Sequence, residues 1–284
     1  MNLGIKDNIA VITGAGRGIG ASCASLFSDE SAKLVLVDKQ FEDHHSESDF
    51  QQTEVDYFTL DVTSENDIIS LFETVTDKYG RIDYLINSAG IYREKPLVEL
   101  EISDWNKMLD VNLLGTFLFC KYSIPSLAKS NNGSIVNIAS IAGQVGGIVA
   151  GADYSASKAG VLCMSKSLAN QVKDYKIRVN TISPGPILSS MTADWPPERK
   201  IEFPKNIPLG RLGEPEEVAN VALFLCSKMA TYVNGATINV NPHRRKDDEK
   251  YGFLYLNVLT DTSISEAIPR VCDIEAVPVS YTHL

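Results

Sequence analysis

The chain has no run of about 18 or more apolar residues, so nothing in it reads as a membrane-spanning helix. It has no block of positive charge beyond a short HRRK near its end, and its formal net charge is -10. An acidic chain repels a phosphate backbone, which argues against nucleic acid as a partner. Cysteine is sparse: Cys23, Cys120, Cys163, Cys226 and Cys272 are odd in number, scattered and never spaced C-x-x-C. That usage suits reduced thiols in a cytoplasmic protein. The opening MNLGIKDNIAVITG lacks the succession of charged, apolar and small residues that marks a secretory signal. The sequon at Asn132 therefore reads as a turn. Two catalytic templates are missing as well, the G-x-S-x-G elbow and H-E-x-x-H. His44 and His45 stand in a polar stretch without further ligands nearby, so no metal site is expected.

What is present is an ordinary globular composition: 284 residues, 44% hydrophobic and 22% charged. That is ample apolar material for one core. From residue 9 to 240, short β-branched runs alternate with helical stretches. IAVITG (9–14), KLVLVD (33–38), DYFTLDV (56–62), IDYLINSAG (82–90), GSIVNIAS (133–140), IRVNTISPG (177–185) and ATINV (236–240) read as strands. Several are apolar at consecutive positions, the mark of strands covered on both faces. SENDIISLFETVTDKYG (64–80) carries a helical stripe, and EPEEVANVALFLCSK (214–228) opens with proline and acids as a helix start should. The weakest unit, 39–54, is polar and reads as a loop or a short helix. The rhythm predicts an α/β fold in a single domain: a Rossmann-type, doubly wound, seven-stranded parallel sheet with helices on both faces.

The first chemistry is TGAGRGIG, directly after strand one and before a helical run. Gly14, Gly16, Gly18 and Gly20 let the backbone turn and approach a pyrophosphate, beside the free N–H groups of a helix start. Asp38 closes strand two, where an acid binds a ribose 2′-OH and repels a 2′-phosphate. The expected cofactor is NAD, with NADP kept open because Arg17 and Lys39 are cations close by.

With TGAGRGIG, LDV, NSAG, NIAS and YSASK all in order, residues 5–240 resemble the short-chain dehydrogenase/reductase family. Within it, PLGRLGEPEEVA (208–219) is similar to the group of 3-oxoacyl-carrier-protein reductases and glucose dehydrogenases. The resemblance implies a catalytic set of Asn112, Ser140, Tyr154 and Lys158, with Asn112 holding a proton-relay water. It implies that Ile19 and the glycine loop, Asp61, Val62, Asn87, Ala89, Gly90, Pro184, Gly185, Ile187 and Ser189 surround the dinucleotide. Tyr92, Gln144, Val145, Ile148, Met191 and Trp195 would wall the substrate pocket. Helical stretches 101–129 and 154–174 carry broad apolar faces, whose equivalents pair between subunits, implying a homodimer or homotetramer. Residues 242–284 match nothing in the family; the catalytic domain is expected to be 1–241, followed by an atypical tail.

The residue types suit the reaction. Removing a proton from a secondary alcohol needs a base, and a free tyrosine has a pKa of about 10. Lowering it by ~3 units takes about 4 kcal/mol. One cation at ~4 Å supplies that at an effective dielectric of about 20, but only about 1 kcal/mol in water. Lys158 can therefore activate Tyr154 only from a partly dry site. These readings favour an NAD-dependent dehydrogenase of a small secondary alcohol, polyol, sugar or hydroxysteroid. Reduction of a 3-oxoacyl thioester on a carrier protein is the alternative, and a non-catalytic dinucleotide sensor is the alternative of another class.

Overall fold

Side chains alternate across a strand, so a strand buried on both faces must be apolar at every position. In the computed structural model, β1 (Ile9–Thr13) is buried throughout. Ala10 and Ile12 join one core layer with Leu34, Leu36 and Ile86. Ile9 and Val11 join a second layer with Val35, Val37 and Leu85. The model describes residues 2–241 apart from 42–49, 51–52, 148–149, 190–191 and 193–194. The tail 242–284 and the pair His44 and His45 lie outside these residues.

β2 (Lys33–Asp38), β3 (Val55–Thr59), β4 (Tyr84–Asn87), β5 (Ser134–Ile138), β6 (Arg178–Pro184) and β7 (Thr237–Val240) complete one sheet. Its order is β3-β2-β1-β4-β5-β6-β7, and every pairing is parallel. From β1 the chain builds outward to β3, then returns to the other flank of β1 and continues to β7. The reversal between β1 and β4, where Thr13 pairs with Asn87, leaves a crevice at the carboxyl ends of the strands.

One core layer is closed by α1 (Gly18–Asp29) and, later in the chain, by the helix Pro215–Cys226. The other is closed by α2 (Glu65–Tyr79) and the helix Gly115–Leu127. Helix α2 shows why these segments are helical. Ile68, Leu71, Phe72 and Val75 recur at helical spacing and are buried, a gain of about 1.5–3 kcal/mol each. Glu65 and Asp67 meet the positive end of the dipole, Lys78 meets the negative end, and Gly80 at φ 77 ends the helix in the left-handed conformation.

Several boundaries differ from expectation, among them the strand foreseen over 82–90, which is confined to Tyr84–Asn87, and two differences bear on the site. The strand foreseen over 56–62 stops at Thr59, which puts Asp61 and Val62 in the loop beyond it. The stretch 101–129 is not one regular helix: α3 (Ile102–Leu109) passes through a π-helical turn, Asp110–Leu114, into α4 (Gly115–Leu127). Such widened turns concentrate at functional sites. Then follow α5 (Ala142–Val145), α6 (Ala152–Gln171), α7 (Pro197–Glu202) and α8 (Pro215–Cys226). Among the described residues, no helix is long and apolar enough to cross a membrane.

Candidate active site

The hydroxyl of Thr13, the last residue of β1, accepts the N–H groups of Ser88 and Ala89, both at 3.1 Å. The ends of β1 and β4 are thereby tied across the crevice. The glycine loop packs against this tie. Gly14 has φ +66, and a Cβ there would stand 2.7 Å from the Ala89 nitrogen. A Cβ on Gly20 would stand 2.0 Å from the Gly14 carbonyl oxygen. Neither position admits a side chain, and α1 begins at Gly18 with its N–H groups facing the crevice. A cavity of about 900 Å³ lies in front, lined by Gly14, Arg17, Gly18 and Ile19 on one side and Ala89 and Gly90 on the other. A bare backbone cradle at a helix N-terminus fits a dinucleotide pyrophosphate.

Asp38 reaches back to the loop: its Oδ2 accepts the Gly16 N–H at 2.8 Å, and Oδ1 accepts the Gln40 N–H at 3.3 Å. Lys39, by contrast, turns away and donates to Asp61 Oδ2 at 2.8 Å. That hydrogen bond, helped by the N–H and hydroxyl of Thr63 and opposed by burial, holds the Asp61 carboxyl at about 2. Asp61 and Val62 both line the larger cavity. Arg17 is exposed and, among the described residues, makes no ion pair.

Beyond the end of β5, Ser140 accepts the Ala142 N–H through its hydroxyl at 3.1 Å. Ser140, Tyr154 and Lys158 line a second cavity, of about 190 Å³, which shares Gly90, Ile91 and Tyr92 with the first. The spacing of four residues on α6 does bring Tyr154 and Lys158 to one face. Both side chains are buried, the partly dry setting that the sequence required. Lys158 Nζ donates to the Ile138 carbonyl oxygen at 2.9 Å and stands 6.0 Å from the centre of the Tyr154 ring. Burial pulls the Lys158 ammonium down to about 8. Burial also pushes the Tyr154 phenol above its usual value of 10.0, and the Ser140 hydroxyl opposes this only in part. Burial thus favours the protonated phenol, and Lys158 stands near its ring as the partly dry cation that activation requires.

Asn112 is fully buried in the π-helical turn. Its Oδ1 accepts the Ile91 N–H at 2.8 Å; its Nδ2 donates to the Ile91 carbonyl at 3.0 Å and to Ser157 Oγ at 3.1 Å. Ser157 in turn donates to the Tyr154 carbonyl at 2.7 Å. The Asn112 side chain thus joins the loop after β4 to α6. Ser157, which lies inside YSASK but to which the sequence assigns no role, is the intermediary.

Other expected residues separate into those that face the cavities and those that do not. Tyr92, Pro184, Gly185, Ile187, Ser189 and Trp195 line the smaller cavity. Asn87 does not face the dinucleotide side: its Nδ2 donates to Asn137 Oδ1 at 2.8 Å, inside the sheet. Gln144 does not wall the substrate pocket, because its amide reaches Asn239 Oδ1 at 2.7 Å, and neighbouring Val145 is not among the lining residues either. Ile148 and Met191 lie outside the described residues. Glu94 and Arg199, separated by 105 positions, meet beside Tyr92 and were not legible as a pair.

A doubly wound sheet, a glycine cradle, and a serine, tyrosine and lysine at the strand ends define a short-chain dehydrogenase/reductase. A family model described as enoyl-(acyl carrier protein) reductase matches residues 14–242, and the chain belongs to this family. Within it, the chain is 40% identical over 240 residues to the 3-oxoacyl-[acyl-carrier-protein] reductase of Thermotoga maritima, covering 84% of this chain and 97% of the relative. It is 33% identical over 239 residues to the Escherichia coli protein of the same name, covering 84% and 98%. It is 37% identical over 238 residues to carbonyl reductase family member 4 of Xenopus laevis, covering 83% and 97%. A solved structure from Brucella melitensis, titled a short-chain glucose/ribitol dehydrogenase, matches with a TM-score of 0.78 at 35% identity, covering 85% of this chain and 98% of that one. The chain is an oxidoreductase that interconverts a secondary alcohol and a ketone with a nicotinamide dinucleotide.

Proposed function

We propose that the chain reduces the 3-oxo group of an acyl thioester, with Tyr154 donating the proton, Ser140 orienting the carbonyl oxygen, and NADH preferred over NADPH. The observation that carries this reading is the convergence of Ser140, Tyr154 and Lys158 on a cavity that opens into the glycine-lined one. When bound, the reduced nicotinamide supplies the hydride equivalent. The residues supply the proton. Tyr154 is the proton donor in reduction and the acceptor in the reverse reaction. The Ser140 hydroxyl lies beside that phenol, where it can direct the carbonyl oxygen towards it. Lys158, buried against the Ile138 carbonyl, fixes a donor at the floor of the site.

The names of the relatives move the substrate reading away from the small alcohol favoured by the sequence and towards the thioester. The preference for NADH rests on Asp38, whose carboxylate occupies the space beside Gly16 and would repel a 2′-phosphate. Exposed Leu114 and Phe117 extend the apolar surface of the α3–α4 segment and support pairing with a second copy. The likeness to a glucose/ribitol dehydrogenase keeps polyol oxidation as a second reading.

The experiment is reduction of acetoacetyl-N-acetylcysteamine followed by NADH absorbance. Turnover that falls by roughly 10²–10⁴-fold in Tyr154→Phe, with dinucleotide binding retained, is expected. Polyol oxidation without thioester reduction would favour the second reading. Tight dinucleotide binding with no turnover of any alcohol or ketone would favour a sensor.

A further inference from the structure

Beside Tyr154 the substrate cavity is closed by a series of contacts that proton transfer does not use. The Tyr92 and Tyr154 rings meet edge-on with centroids 5.0 Å apart. The Tyr92 hydroxyl donates to Glu94 Oε1 at 2.8 Å. The same carboxylate accepts both ends of the Arg199 guanidinium, at 2.8 and 2.9 Å. Arg199 stands 3.8 Å from the centre of the Trp195 ring, and Trp195 packs on Phe203 at 4.9 Å. Trp195 and Phe203 both line the cavity of about 190 Å³, smaller than the roughly 300–1,000 Å³ of ordinary ligand pockets.

The pair is not a loose surface contact. Arg199 and Glu94 are 21% and 34% exposed, and the fork geometry fixes the guanidinium in direction as well as distance. Placed over the indole, the guanidinium adds a cation–π attraction. Trp195 itself needs such a restraint. It is 9% exposed, yet its indole N–H is buried without a partner. An unpaired buried donor favours a conformation in which the N–H reaches water. The indole is therefore not held by a hydrogen bond of its own, whereas Arg199, Phe203 and the small cluster with Ile207 and Leu212 pack around it.

We propose that Glu94 and Arg199 form a clamp that fixes Trp195 as the end wall of the substrate cavity, restricting the enzyme to short-chain ketones. The substrate side of this inference rests on the reductase reading above. Acetoacetyl and 3-oxodecanoyl thioesters of N-acetylcysteamine provide the comparison. The parent enzyme favours the short substrate. Glu94→Gln and Arg199→Met raise the long-to-short ratio of kcat/KM by about tenfold or more, while Tyr92→Phe, which leaves the clamp intact, does not. A ratio unchanged in folded clamp variants would overturn the proposal.

A second measurement needs no turnover. In a Trp105→Phe background, Trp195 is the one remaining tryptophan. Acrylamide quenches it weakly in that parent and severalfold more strongly after Glu94→Gln. Strong quenching in the parent, or no change on substitution, would also overturn the clamp. Increased quenching without thioester reduction by any variant would instead remove the reductase reading and leave the clamp standing.

Discussion

The main-chain N–H of Gly16 donates to the carboxylate of Asp38 at 2.8 Å, which locks the glycine loop to the end of β2. The same carboxylate lines the larger cavity, where by the proposal above it repels a 2′-phosphate. Replacing Asp38 with serine removes the repulsion and leaves Arg17 exposed beside the opening. The ratio of kcat/KM for NADPH over NADH should rise by about tenfold or more, equivalent to about 1.4 kcal/mol. Side-by-side kinetics with the two dinucleotides decide it; a parent enzyme that already prefers NADPH would remove the role given to Asp38.

Gly20 tests the cradle in a different way. An alanine there would bring its Cβ to within 2.0 Å of the Gly14 carbonyl, so the loop or α1 must move. Gly20→Ala should lose about 1–3 kcal/mol of stability, as overpacked sites do, together with dinucleotide affinity. Thermal unfolding with and without NADH measures both. A variant with the parent's midpoint and affinity would show that the loop shifts without cost.

Lys158 makes a pH prediction whose sign follows from its burial. Its ammonium titrates at about 8 in the fold against a usual 10.5, so the unfolded chain binds more protons between those values. The fold therefore carries a penalty at low pH that is relieved as pH rises through 8 towards 10.5. Relative to Lys158→Met, the parent should gain about 2 kcal/mol of stability between pH 7 and pH 10. Urea unfolding of both proteins at the two values gives the double difference. Buried Cys120 and Cys226, pushed up to about 12, act in the opposite direction. They cancel in this comparison because both proteins carry them.

Cys163 reports on assembly. It is exposed on α6, whereas Cys23, Cys120 and Cys226 are buried. With Cys272 replaced by alanine, one thiol of the remaining four should react with an aromatic disulfide in the dilute native protein. If α6 pairs with a second copy, that reaction slows as protein concentration rises through the association range. A rate independent of concentration would exclude pairing over this face.

The parts of the fold legible in the sequence are those set by local rules. Consecutive apolar residues in IAVIT announced a strand covered twice, and Gly80 announced the end of α2. Asp38 could be placed because a strand end and a glycine loop lie a fixed distance apart in this topology. What escaped depends on contacts between distant segments. Asn112 lies on a helical pattern, yet its bonds to Ile91 accompany a π-helical turn that periodicity does not reveal. Gln144 follows Ser140 closely, but a partner 95 positions later turns it away from the pocket. The bond from Lys158 to the Ile138 carbonyl joins positions twenty apart, which spacing on a helix does not reveal.

The two cavities draw on different stretches of the chain. Apart from Ser189, the residues lining the larger one all come from the segment ending at Val111, whereas Ser140, Tyr154, Lys158 and Trp195 of the smaller one come later. During synthesis, the ribosome therefore delivers the wall for the nucleotide before it delivers the acid, and the cavity's far wall last of all. A polypeptide interrupted after β5 would contain most of the residues of the nucleotide cradle, but none of those that pass a proton.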